Sequence, residues 1–272
     1  MRAVSWDQND TAEIQFQGSV LLSDGQPLMA RVIEYNGEPM AWLQQIGFNT
    51  LAMKSYPPLA VRQEARKLGL WLFTPPPGEA ELSADPDVAE RILAWDLGEG
   101  LEATHLQQVA RTVKLIRRIP AANRPLACAP AGSFTAYQRH VDLVRLDWQP
   151  YFSSLAMPDA VLQLQAAISQ LRRGSPYWVS ISIQPGESLE RQWRALVPGL
   201  AMPAAVSLDQ LRIAVHHALA AGSRGIYFRS SRRLDGTAAW QQQKCRQLEQ
   251  INLELRSLEP WIAGAGPPVA VT

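Results

Sequence analysis

The chain is expected to fold as an α/β protein, a (β/α)8 TIM barrel with a short N-terminal β-hairpin lead-in. Three observations predict this. Short apolar runs of strand length alternate with amphipathic helical segments, glycines close most of those helices, and eight strand segments can be counted along the chain. Strands that alternate with helices pair in parallel through right-handed crossovers, and eight such units close on themselves most simply as a barrel. The competing arrangement, an open doubly wound sheet, lacks support because no Gly-rich dinucleotide fingerprint follows the first strand.

In "AEIQFQGSVLLSDGQPL" apolar and polar residues alternate on both sides of Gly18 and reach Asp24-Gly25, which is hairpin chemistry. From Arg31 the punctuation changes. "PMAWLQQIG" leads into "FNTLAMKS" and "LAVRQEARKLG" into "LWLFTPPP"; Met40, Leu43 and Ile46 keep helical spacing, as do Ala65 and Leu68, and Gly47 and Gly69 stand where a left-handed C-cap is wanted. "THLQQVARTVKLIRRI" carries Leu106, Val109, Val113 and Ile116 on one stripe, and "DAVLQLQAAISQLRRG" carries Val161, Leu164, Ile168 and Leu171 before Gly174. "SLDQLRIAVHHALAAG" opens with a Ser207/Gln210 capping box and closes at Gly222. The strands are "RVIEY", "FNTLAM", "LWLFTP", "ILAWDL", "PLACAP", "DLVRLDW", "YWVSISIQ" and "GIYFRSS". The weakest helices are the third, interrupted by Pro86, and the fifth, with only "TAYQRHV" available. A last helix runs from about Thr237 through Trp240, Leu248, Ile251, Leu255 and Leu258. The expected division is residues 1–29 for the lead-in, 30–262 for the barrel and 263–272 for a tail; "EPWIAGAGPPVAVT" loses helical pattern and ends Pro-rich and apolar, which reads as a linker to a following domain.

Bulk composition removes several classes of function. With 26 basic against 25 acidic residues there is no excess charge to neutralise a phosphate backbone, so nucleic acid is not an expected partner. No apolar run approaches the roughly 20 residues that span a bilayer, so no membrane partner is expected. The opening residues lack the form of a secretory signal, which leaves location open, with secretion or a periplasmic site following if a signal was removed. Cys128 and Cys245 are too few for a disulfide framework and too scattered for a metal knuckle, and read as buried small hydrophobes. His105, His140, His216 and His217 fall on helices or their starts, where nothing converges with them. Neither a metal nor a cofactor is expected, since no P-loop, Ser-His-Asp arrangement or metal-ligand spacing occurs.

In a barrel of this type chemistry gathers where strands run into the following loops. Those positions are Glu34 and Tyr35 after the first strand, Lys54 and Tyr56 after the second, Thr74 after the third, and Asp96 and Glu99 after the fourth. Asp147 and Trp148 follow the sixth, Gln184 and Glu187 the seventh, and Arg229 and Asp235 the eighth. Aromatic faces stack on pyranose C–H surfaces, carboxylates and amides bind hydroxyls, and a carboxyl pair cleaves glycosidic bonds, so the set suits a carbohydrate ligand. Trp148 is expected as a stacking platform and Trp178 as core, with Trp95 suited to either role. Glu187, beyond Pro185 and Gly186, reads as a surface loop charge. The run "FRSSRRLDG" after strand 8 supports a rival class, a barrel that handles phosphorylated or carboxylated small molecules, although the loop after strand 7 lacks paired glycines.

Several phrases carry a resemblance. "VLLSDGQPLMARVIEYNGEPMAWLQQIGFNTLAM" resembles the opening of glycoside hydrolases with (β/α)8 barrels, in which "DG-x-P" precedes the first strand and "LxxxGFNT" enters the second. "EARKLGLWLFTPPP" looks like their third strand, and "ILAWDLGEG" is similar to the "W-x-L-G-N-E" phrase ending their fourth. The resemblance implies a general-acid glutamate after strand 4 and a nucleophilic glutamate at the end of strand 7. In "WDLGEG" Glu99 holds the asparagine position and Gly100 the glutamate position, so Glu99 would serve only through a one-residue shift. "ISIQPGE" offers Gln184, whose amide cannot attack as a carboxylate does. Two expectations follow: a hydrolase with Glu99 or Asp96 as general acid and Asp147 or Glu187 as partner, or a non-catalytic carbohydrate-recognition or scaffold domain that has kept the barrel without the nucleophile.

Overall fold

The computed structural model describes residues 13–85, 87–151, 153, 155–199 and 206–264. The side chains of Ser83 and Glu187, Pro86 within the third helical unit, and most of the expected tail lie outside this description.

The lead-in forms a three-stranded antiparallel sheet of β1 (Ile14–Gln17), β2 (Val20–Ser23) and β3 (Gln26–Pro27). At its second turn Asp24 and Gly25 have φ of 51° and 74°, the two positive values a two-residue hairpin turn needs. Eight parallel strands follow and close into a barrel: β4 (Ala30–Glu34), β5 (Thr50–Ala52), β6 (Trp71–Thr74), β7 (Ile92–Leu101), β8 (Leu126–Pro130), β9 (Leu143–Trp148), β10 (Tyr177–Ser182) and β11 (Gly225–Arg229). Each strand is expected from the sequence, and β11 returns to pair with β4. The helices between them are α1 (Met40–Gln45), α2 (Leu59–Lys67), α3 (Glu79–Ala84), α4 (Leu106–Ile116), α5 (Phe134–Tyr137), α6 (Met157–Ser169), α7 (Glu187–Leu196), α8 (Leu208–Ala220) and α9 (Ala239–Gly264). The third and fifth units have the shortest helices apart from α1, at six and four residues. One helix is not anticipated: α7 occupies the connection after β10, and Glu187 opens it rather than standing in a loop.

The period-two alternation of each strand sorts its side chains into two layers. Ile33, Leu51, Leu72, Leu126, Val144, Val179, Ile181 and Phe228 point outward and pack with the helices. Val32, Ala52, Trp71, Phe73, Leu93, Ala127, Leu143, Trp178 and Tyr227 point inward, and Ile14 and Leu21 of the hairpin join this inner cluster at the N-terminal end of the barrel. Each large side chain buried there contributes about 1.5–3 kcal/mol. Trp178 reaches across to β11, where Gly225 leaves it room: a Cβ on that glycine would lie 2.6 Å from the indole nitrogen.

Helix ends follow their residues. Ser207 Oγ accepts the Gln210 N–H at 3.2 Å while the Ser207 N–H donates to Gln210 Oε1 at 2.9 Å, closing the expected box. Gly47 ends α1 with φ of 99°, and its missing side chain admits Asn252 of α9, whose Cβ would stand 2.6 Å from an added Cβ. Gly47→Ala is therefore expected to lower stability by about 1–3 kcal/mol, read as a shifted urea midpoint at unchanged slope. The final helix does not stop where the helical pattern is lost at "EPWIAG" but continues through the exposed Pro260 to Gly264, and Glu259 bonds Arg31 at 2.6 Å, anchoring it beside β4.

α9 also buries Lys244, whose Nζ donates to Val206 O at 2.7 Å and Gln247 Oε1 at 2.8 Å. Burial pushes its pKa down to about 8. The unfolded chain then binds the proton more tightly, so this group's contribution to stability is complete above the ordinary lysine range and is lost as pH falls through about 8. Between about pH 8 and 10.5 the stability of the natural protein should rise relative to Lys244→Met, measured by denaturant melts across that range.

Candidate active site at the barrel mouth

At the C-terminal end of the strands six charged side chains meet. β7 supplies two of them through an irregularity. In a regular strand, residues three apart face opposite sides of the sheet. Here the pairing of β7 with β8 shifts register between Asp96 and Glu99 and again before Leu101, with Gly98 and Gly100 at φ of 118° and 63°. The shift brings Asp96 and Glu99 onto the same side of the barrel, and the Gly98 N–H donates to Asp96 Oδ1 at 3.1 Å.

Arg145, which lies within its strand and not at the strand end, joins them. It stands on β9 two residues before Asp147, so both face the axis, and it is fully buried. Its guanidinium reaches Asp96 Oδ2 at 3.3 Å, Glu99 Oε2 at 3.0 Å and, through Nε, Asp147 Oδ1 at 3.6 Å. The same group lies over the Tyr227 ring at 4.2 Å. From β11, Arg229 contacts Glu99 Oε1 at 3.0 Å, Asp147 Oδ2 at 3.2 Å and Glu34 Oε1 at 3.5 Å. Glu34 on β4 also accepts the Ser230 N–H at 2.8 Å and the Tyr227 hydroxyl at 3.4 Å. Two guanidiniums thus tie together four carboxylates from strands on opposite sides of the barrel.

Burial raises the pKa of Glu34, with Arg229 and the Ser230 N–H opposing it, and burial raises that of Asp96 against Arg145 and the Gly98 N–H. Burial likewise lifts the Tyr227 hydroxyl well above its ordinary value. For Arg145 and Arg229 burial works against the charged form, yet the surrounding carboxylates outweigh it and push both guanidiniums further up.

Other expected site residues lie elsewhere. Trp148 is not a stacking platform: it follows Asp147 by one residue, so it faces the helices, where its indole N–H donates to Ala160 O at 2.8 Å. Trp95 precedes Asp96 and likewise turns outward, donating to Ala122 O at 2.8 Å. Gln184 is buried and spent internally, donating to Ser230 Oγ at 2.5 Å. Tyr35 is half-buried against the outer layer. Tyr56 donates its hydroxyl to Val88 O at 3.1 Å and lines, with Pro57, Pro58, Leu59, Arg62 and Asp85, a groove of about 450 Å³ on the barrel's flank. Lys54 sits on the rim and donates to Asn36 Oδ1 at 3.0 Å. Asp235 pairs with Arg233 at 2.6 Å, Arg232 pairs with Glu190 of α7, and Arg229 with the mouth carboxylates, so the arginines of "FRSSRR" are all engaged by acids rather than arranged to receive an anion.

Among the described residues no three His, Cys, Asp or Glu side chains are placed to hold a metal ion, and no helix is long and apolar enough to cross a membrane.

The sequence matches no protein family and none of the curated proteins. Solved structures match in fold. The β-D-glucuronidase of Dictyoglomus thermophilum superimposes with a TM-score of 0.62 over 90% of this chain at 11% identity, and the chain spans 54% of that protein's length. The catalytic domain of a mannanase from Streptomyces sp. SirexAA-E gives 0.52 at 13% identity over 85% of each chain. An active-site mutant of the Rhizomucor miehei β-1,3-glucanosyltransferase, in complex with laminaritriose, gives 0.50 at 15% identity over 74% of this chain and 86% of its own. At such identities the likeness is one of architecture: the chain shares the closed (β/α)8 barrel of these enzymes.

Proposed function

We propose that this barrel recognises a saccharide at its mouth and does not hydrolyse it. The observation that carries this is the cross-linking of Glu34, Asp96, Glu99 and Asp147 by Arg145 and Arg229. Glycosidic cleavage needs one carboxyl group free to protonate the leaving oxygen and a second free to attack or to activate water. Both oxygens of Glu99 instead face guanidiniums, and the end of β10 presents Gln184, turned inward to Ser230. Fixed carboxylates and guanidiniums still suit recognition, because planar polar groups hold the paired hydroxyls of a sugar ring and the ion pairs keep them in position. The rival reading, hydrolysis with Glu99 as acid and Asp147 as partner, draws on one fact: Arg229 holds both carboxylates on a single guanidinium.

Calorimetric titration with a panel of oligosaccharides, run beside a hydrolysis assay on aryl glycosides and polysaccharides, separates the two. Saturable heat with no released product is expected, with affinity falling about tenfold in Glu99→Gln. Turnover that disappears in Glu99→Gln would overturn the proposal.

A further inference from the structure

Donors and acceptors are left over unequally in this mouth. Each nitrogen of the Arg145 and Arg229 guanidiniums lies within 3.6 Å of a carboxylate oxygen, Arg145 Nε alone among the three on its side chain making no hydrogen bond, and the Lys54 ammonium donates to Asn36. Four carboxylates offer about sixteen lone-pair sites against about ten N–H donors on two guanidiniums, so acceptor capacity is left in excess. Exposure points the same way. The side chains of Glu99, Asp147 and Glu34 are 49%, 27% and 19% exposed, against 24% for Arg229 and 1% for Arg145. What reaches solvent is rich in acceptors, and four acids stand against two guanidiniums.

A separate observation lies beneath them. Ser180, in register between Asp147 on β9 and Tyr227 on β11, shares the inward face of β10 with Trp178 and is fully buried, yet its hydroxyl has no hydrogen-bond partner. Buried hydroxyls are seldom left so, and this one is aimed at the floor of the mouth.

We propose that the mouth selects a saccharide carrying a free amino group, with the ammonium lying against Glu99 and Asp147 and ring hydroxyls donating to the remaining acceptors and completing Ser180. An ammonium brings three donors and a positive charge to a mouth in which acceptors outnumber donors and four acids face two guanidiniums. This selection rests on the saccharide reading above.

The experiment is calorimetric titration with β-1,4-linked trimers of glucosamine, N-acetylglucosamine and glucose, and with propylamine, at low and moderate salt. The glucosamine trimer should bind at least about tenfold more tightly than the other two, and the gap should narrow as salt rises. Glu99→Gln and Asp147→Asn, each checked for folding by its melting curve, should each reduce that preference severalfold. Equal affinity for the three trimers overturns the amine selection and leaves saccharide binding intact. Propylamine binding as tightly as the amino trimer overturns selection of a sugar amine in favour of a bare cation site. Heat from none of the trimers overturns the saccharide reading itself.

Discussion

Arg145→Met should destabilise the protein by about 3–5 kcal/mol, the cost of removing one partner from a buried charge cluster. Methionine fills much of the same volume over the Tyr227 and Phe73 rings, so the loss reports on charge rather than on a cavity. Among the described residues Asp96 has no other cation at contact distance, and Asp147 and Glu99 would keep only Arg229. Urea melts at pH 7 measure the effect. Acidification should reduce it, because burial has already moved the Asp96 and Glu34 carboxyls upward and protonation removes the charges that Arg145 neutralises. For a carboxyl raised in the folded state the sign is fixed: the native protein binds the extra proton, so the group favours folding at low pH and loses that contribution as pH rises through the folded value. Arg145→Lys should recover little, since an ammonium cannot engage three carboxylates from one planar fork. A loss below about 1 kcal/mol in Arg145→Met would mean that the cluster is not held from beneath.

The second large effect is expected at Trp178. Its indole fills the barrel interior between Phe73, at 5.9 Å between ring centroids, and the bare backbone of Gly225. Trp178→Ala should cost about 3–5 kcal/mol, as for other buried tryptophans, and a larger share should appear in the unfolding rate if the interior packs late. Gly225→Ala tests the same contact from the other side by forcing the indole to move. The two substitutions together should destabilise by less than their sum, because once the indole is gone the added methyl has nothing to meet. Simple additivity would contradict the proposed contact.

Much of the architecture is legible because the barrel obeys local rules. Gly47 and Gly69 mark helix ends, and both have positive φ; the Ser207/Gln210 box opens a helix where its spacing places one. The mouth is legible in part. Glu34, Asp96, Glu99, Asp147 and Arg229 all stand at strand ends and do meet, because closing a barrel brings such ends together. Side-chain direction is where a list of strand ends falls short. Alternation alone assigns Trp148 to the face opposite Asp147 and Trp95 to the face opposite Asp96, and the same rule puts Arg145 beside Asp147. A charged residue on the inward face of an otherwise apolar strand was therefore a signal in "DLVRLDW". The turn of Glu99 into the mouth was not readable by alternation, since it depends on two register shifts at Gly98 and Gly100. Nor was α7: "ESLERQWRAL" is charge-rich, and its Glu190 meets Arg232 from a distant part of the chain.

The hairpin seated under the strands has a topological consequence. With Ile14 and Leu21 packed into the inner cluster, the hairpin covers the N-terminal end of a cylinder already filled by Trp71, Phe73, Trp178 and Tyr227. No polymer can thread it from end to end. A ligand of the charged mouth would have to approach and leave by the C-terminal rim, where Glu99 is the most exposed of the four acids.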